Sequence, residues 1–139
     1  MRIELLDQSN RHLLQHVAAD VFDHAIRTES LDAFIDCPRH VLVLAVESEQ
    51  VVGMASAVEY FHPDKPGQLW INEIGVAPEF RNQGIGRKLI GRLHQEGRAR
   101  KCECAWLGTE KTNLAANKCF SAVEPVEPPQ PFILYEWEL

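Results

Sequence analysis

Gly84 and Gly86 stand at the head of the helix-like run Ile85-Gly-Arg-Lys-Leu-Ile90, just after the apolar stretch Leu69 to Val76 and a turn at Pro78. Glycines at a strand-to-helix junction let a ligand come close to the backbone, because no Cβ stands in the way. The first turn of any helix has N–H groups without intrahelical partners, and the helix dipole adds partial positive charge there. Together these features make a site for an anion, most often a phosphate. Seven basic residues lie between Arg81 and Lys101 (Arg81, Arg87, Lys88, Arg92, Arg98, Arg100, Lys101) against one acid, Glu96. That segment carries +6 in a chain of net charge −6, which leaves −12 for the rest. A single basic stripe on an acidic protein suits a local anionic ligand, although a solvated helix face accounts for the charge alone. Nucleic acid would ask for a more basic surface overall.

Two nucleotide-binding signatures do not fit the glycine pair. A dinucleotide fingerprint needs glycine or alanine three residues after Gly86, where the chain has Leu89. A P-loop ends in Gly-Lys-Ser/Thr, but Gly86 is followed by Arg87, Lys88 and Leu89.

The elements around this loop can be read from periodicity. Met1 to Leu6 predicts a strand. Ser9 or Asn10 caps a helix through about Phe22, with Leu13, Val17 and Val21 at four-residue spacing. A short helix spans Leu31 to Ile35. Arg39 to Glu47 and Val51 to Phe61 form a hairpin about the turn at Ser48–Gln50, and His62 to Gly67 is a loop by composition. Leu69 to Val76 is the strand before the glycines. The helix from Gly84 to about Arg98 is followed by a strand from Cys102 to Gly108, then a helix capped by Thr112 or Asn113 and running to about Val123. Glu124 to Pro131 has too much proline for helix or central strand, and Phe132 to Leu139 predicts a closing strand. Strands in a row, with helices before and after them, describe a mixed sheet within the α/β (α+β) class.

The 139 residues form one domain, 1–139, long enough to bury a core without staples. With 45% hydrophobic and 24% charged residues the composition is that of a soluble globular protein. No apolar run reaches a membrane span, and the N-terminal residues lack the apolar core of a signal peptide, so the expected location is cytoplasmic and no membrane partner is expected. The four cysteines, Cys37, Cys102, Cys104 and Cys119, are read as reduced, buried structural thiols, with Cys102 and Cys104 on one face of their strand. No Cys-x-x-Cys or His-x-x-x-His pair supports a metal.

Arg81-x-x-Gly84-x-Gly86 after Val76-x-Pro78 resembles motif A, the acetyl-CoA site of the GNAT (Gcn5-related N-acetyltransferase) superfamily. Asn113-x-x-Ala116-x-x-Cys119-Phe120 is similar to the family's Asn-x-x-Ala-x-x-Leu/Phe-Tyr on its fourth helix. The ending Pro131 to Leu139 looks like that of small relatives in the aminoglycoside 3-N-acetyltransferase-like branch. The resemblance covers essentially the whole chain, and motif A is its specific part. It implies a GNAT fold, with a mixed, mostly antiparallel sheet of six to seven strands flanked by about four helices. It implies acetyl-CoA as cosubstrate and direct acetyl transfer to a primary amine of a small molecule. Backbone groups of Ile74 and Val76 would pair with the pantetheine arm. The N–H groups of Gln83, Gly84, Ile85, Gly86 and Arg87 would cradle the pyrophosphate, with Arg81 and Arg87 adding charge, and Asn113 would bond the pantetheine. Many members are dimers, so a homodimer is the expectation, with the proline-rich loop as one contact point.

Acetyl transfer from a thioester asks the protein for positioning, a base for the amine proton and a donor for the oxyanion. Glu73 is the candidate base, because many members carry a carboxylate on this strand facing the acceptor. Strand alternation alone does not choose its face. Asn72, on the opposite face, is a candidate for polar contacts. The departure from the family is Phe120, where many members have a tyrosine that can protonate the leaving thiolate; Tyr135 and Cys119 are better read as packing residues than as substitutes. Two other readings follow: acetylation of a protein or peptide amine, and an acyl-CoA-binding module without catalysis. Asp20, Asp23, Glu29, Asp32, Asp36, Glu59 and Asp64 lie in segments that shape the acceptor side in the family, and such acids would favour a cationic amine.

Overall fold

A meander of three long strands carries the site. In the computed structural model, which describes residues 1–139, β2 (His40–Glu47), β3 (Gln50–His62) and β4 (Lys65–Val76) run antiparallel in sequence order. Ser48 and Glu49 both take positive φ, 47° and 64°, the conformation of the tight two-residue turns that match strand twist. β1 (Arg2–Leu5) adds antiparallel to β2, and β5 (Cys104–Trp106) adds parallel to β4. A parallel neighbour requires a crossover, which α2 (Ile85–Ala99) supplies after α1 (Thr28–Asp36) has packed on the other face. α3 (Leu114–Ser121) follows β5.

Both faces of the sheet are covered, which is why β2 reads as the unbroken apolar run Val41 to Val46 rather than as an alternation. On one face Ile85, Leu89, Ile90 and Leu93 of α2 pack on Val41, Val43, Ala55, Leu69 and Ile71. On the other, Leu13 and Val21 pack on Leu42, Leu44, Val51 and Met54.

The structure departs from the sequence-based expectations at several elements. The sheet has five strands, not six or seven, and there are three α-helices rather than about four, with two short 3-10 turns at Arg11–Gln15 and Pro78–Phe80. The helix expected over 10–22 stops at Gln15, because the backbone turns to pair with the sheet: Val51 N–H donates to His16 C=O and Ala18 N–H to Val51 C=O, each at 2.8 Å. β4 begins at Lys65, inside the segment expected to be a loop, since His62 already pairs with Lys65. The closing strand over 132–139 has no pairing partner, and its apolar residues are exposed, Leu134 by 80% and Trp137 by 75%. The cysteines are free but not deeply buried; Cys102 packs beside the core just before β5, while Cys104 within β5 is exposed, so the two do not share an environment.

Candidate active site

The site is organised by an extra residue in β4. Ser56 pairs with Glu73 and Ala57 with Ile71, so Asn72 is a one-residue bulge. The bulge reverses the alternation of the strand. Before it, Leu69 and Ile71 face α2; after it, Ile74 and Val76 do, and Glu73 turns to the opposite face. Without the bulge Glu73 would point beneath α2.

The same strand loses its neighbour at this point. β5 pairs with β4 only through Gln68–Cys104, Leu69–Ala105 and Trp70–Trp106. Beyond Trp70 the two strands diverge and leave a notch of about 30 Å³, lined by Ile71, Asn72, Glu73, Ile74, Leu107, Gly108 and Phe120. Ala77 N–H bonds back to Val52 C=O at 3.0 Å. By alternation, the N–H and C=O groups of Ile74 and Val76 therefore point away from β3, to the edge that β5 has vacated. Such an edge can take an extended ligand as if it were another strand. The Val76 carbonyl is already occupied, since Arg81 Nε donates to it at 2.9 Å. The backbone offer to a ligand thus narrows to Ile74 and the Val76 N–H, and one role of Arg81 is to hold the loop.

Past that clamp the chain reverses through two left-handed residues, Asn82 at φ 60° and Gly84 at φ 78°, and Gly84 is the N-cap of α2. No side chain caps this helix and no acid lies in its first turn, so its N-terminal N–H groups are left for an anion. Gln83 braces the loop from Nε2 to Glu79 C=O at 3.2 Å. Ile85 is buried in the core and anchors the turn. Gly86 is needed for space: a Cβ there would lie 2.9 Å from Cys119 Sγ on α3. Arg87 folds back toward Gly84, whereas Arg92 pairs with Glu96 at 2.7 Å and Arg100 with Glu59 at 3.2 Å. The basic stripe therefore divides into residues near the loop and residues tied into the structure. Asn113 caps α3, its Oδ1 accepting from Ala116 N–H at 3.1 Å, which leaves only its amide nitrogen for a ligand.

Glu73 opens on its other side into a cavity of about 380 Å³ between β4 and the segment from Phe22 to Phe34. Asn72 and Glu73 line both this cavity and the notch. Burial pushes the Glu73 carboxyl above its usual 4.5; Asp23 on the facing wall pushes it further and His24 opposes them. Of the seven acids expected on the acceptor side, only Asp23 lines the cavity. Asp32 pairs with Arg11 at 2.6 Å, Asp36 accepts from Gln8, Glu59 is held by Arg100, and Asp64 pairs with His62.

A sequence model of the acetyltransferase (GNAT) family matches residues 8–123. The chain belongs to this family. GNAT architecture is also what the solved structures share with it. An aminoglycoside acetyltransferase from an uncultured soil metagenomic sample, meta-AAC0020, solved with sisomicin, superposes with a TM-score of 0.84 at 18% identity, over 99% of this chain and 96% of that one. The aminoglycoside N-acetyltransferase AAC(6')-Iy in complex with CoA gives 0.75 at 18% identity, over 99% and 100%. The same enzyme with a CoA-S-monomethyl-acetylneamine bisubstrate analogue gives 0.77 at 18% identity, over 99% and 98%. Among curated proteins none matches the chain. In this GNAT chain Phe120, at the position where the family resemblance led us to expect a tyrosine, lines the notch and brings no hydroxyl to it.

Sequence reading missed two features of the site. Gly75 lets the segment around Val21 close against β4, and its signal was a glycine inside an apolar strand. Gly108 lines the notch and has the Phe132 ring against it: a Cβ there would lie 2.5 Å from Phe132 Cζ. No local pattern announces that contact.

Proposed function

We propose that the protein is an acetyl-CoA-dependent N-acetyltransferase that transfers the acetyl group directly to a primary amine of a small molecule. The observation that carries this reading is that Glu73 and Asn72 line both the notch between β4 and β5 and the larger cavity behind it. A carboxylate shared by two adjoining hollows can serve a reaction between a molecule in each.

The residues present fit coenzyme A. The free edge at Ile74 and Val76 suits the amide-bearing pantetheine arm, and the uncapped start of α2 from Gln83 to Arg87 suits a pyrophosphate, with Arg81 and Arg87 alongside. Asn113 can donate from its amide nitrogen. The thioester supplies an acyl group already activated for attack. Glu73 takes the proton of the incoming ammonium, directly or through water, and burial and Asp23 raise its proton affinity in the direction a base needs. A backbone N–H on the open edge of β4 near Ile74 to Val76 stabilises the oxyanion. Phe120 has no hydroxyl to protonate the departing thiolate, and burial raises the pKa of the neighbouring Cys119 thiol, which makes it a weak proton donor.

The test is thiol release from acetyl-CoA across a panel of amines, for the wild type and Glu73→Gln. Acetyl-CoA that neither binds nor shifts the melting temperature overturns the assignment. Binding without acetylation of any amine favours an acyl-CoA-binding module, the reading suggested by Phe120, and preference for a peptide favours protein acetylation.

A homodimer is also proposed. Phe132, Leu134, Tyr135 and Trp137 are exposed, and β5 is bonded on one side only, so the segment 132–139 of one copy can pair with the free β5 edge of another. Light scattering at several concentrations, with and without residues 132–139, tests this: a monomer at every concentration refutes it.

A further inference from the structure

The lining of the larger cavity says what kind of amine it can hold. Eight of its fifteen lining residues are hydrophobic, and those from the outer wall and floor, Phe22, Ile26, Leu31, Phe34 and Met54, form its body. The charged lining consists of two carboxylates, Asp23 and Glu73, and one guanidinium, Arg27, with the His24 imidazole beside them. Two other acids of this side are held elsewhere, Asp32 by Arg11 and Asp36 by Gln8.

We propose, building on the acetyltransferase reading above, that the acceptor is a monoamine on an apolar alkyl or aryl body rather than a polycationic amino sugar. One ammonium sits between Asp23 and Glu73, and the hydrocarbon lies along Phe22, Leu31 and Phe34. A polycation would bring several charges against two carboxylates and would set Arg27 against one of them. Its hydroxyls beyond the reach of Ser30, Ser56 and Asn72 would lose water to the apolar part of the wall, a cost each unpaired group carries. At about 380 Å³ the cavity is at the small end of ligand pockets, which suits a compact body.

The experiment is a kcat/KM series on the wild-type protein at saturating acetyl-CoA, with straight-chain amines from ethylamine to hexylamine, phenethylamine, spermidine and kanamycin. The expected result is a rise of about threefold to fourfold per methylene, the transfer gain of a buried CH2, with phenethylamine at least about tenfold above kanamycin. Phe34→Ala should flatten the series, lowering kcat/KM for hexylamine and phenethylamine by a larger factor than for ethylamine. A flat series, or kanamycin or spermidine ahead of hexylamine, overturns the proposal while the acetyltransferase reading stands. Acetyl-CoA binding with no amine acetylated overturns both.

Discussion

The carbonyl oxygen of Val21 lies 2.1 Å from the place where a Cβ on Gly75 would stand. The contact joins the segment that walls the cavity to the strand that carries Glu73, two residues away. Any side chain at 75 must push the two apart. Gly75→Ala is therefore expected to lower the melting temperature by several degrees, from about 1–3 kcal/mol of overpacking. It should also raise KM for the amine, because the cavity wall moves. Gly91, in the middle of α2, has nothing within 4 Å of its Cβ position. Gly91→Ala should raise stability by about 0.5–1 kcal/mol, the helix-interior difference between the two residues. Paired thermal melts check both signs.

The proton affinity of Glu73 should be visible in the pH profile. Burial and the Asp23 carboxylate hold its pKa above 4.5. A base must be deprotonated, so kcat/KM should rise with pH through the raised value. Asp23→Asn removes the like charge, and the acidic limb should move to lower pH. His24→Gln removes an opposing influence, and the limb should move to higher pH. Three pH–rate profiles with one amine decide it; an acidic limb that stays fixed in both variants separates it from Glu73.

The same shift affects stability. Because the folded-state pKa of Glu73 is raised, the folded protein holds this proton more tightly than the unfolded chain. Its favourable contribution is full below the unfolded pKa and is lost as pH rises through the folded one. Glu73→Gln has no such loss. The variant should therefore gain stability relative to the wild type as pH rises from about 4 to 7. Denaturant unfolding at a series of pH values measures the difference, and a constant offset across that range would contradict it.

Gly84 is expected to matter through conformation and not through space. A Cβ there would meet only the Arg87 side chain, at 3.4 Å, but φ is 78°. An L-residue in that region costs about 1–2 kcal/mol. Gly84→Ala should weaken acetyl-CoA binding by roughly tenfold, with Kd read by calorimetry. Unchanged affinity would place the pyrophosphate elsewhere.

Much of the scaffold was legible in the residues. The apolar runs over 40–47 and 69–76, the 3.6-residue spacing of Ile85, Leu89 and Leu93, and the glycine–helix junction each carry a local signal that packing then reinforces. Where expectation and structure part, the deciding partner is distant. Residues 16–18 look helical, but their backbone groups are taken by Val51. Residues 132–139 look like a strand, but a strand needs a neighbour, and within this chain they have none.

For the site itself the sequence determined chemical type: a glycine junction with positive charge beside it, a carboxylate on the preceding strand, and an aromatic without a hydroxyl at Phe120. These follow from residue identity and short spacing, which the chain fixes before it folds. The tertiary structure alone decided direction and company. The bulge at Asn72 turned Glu73 away from α2 and toward the cavity, because one inserted residue reverses every side chain beyond it. Packing of the segment from Phe22 to Phe34 against β4 selected Asp23 from seven acids. Burial beside that carboxylate raised the Glu73 pKa, a property of the assembled neighbourhood that no single residue carries.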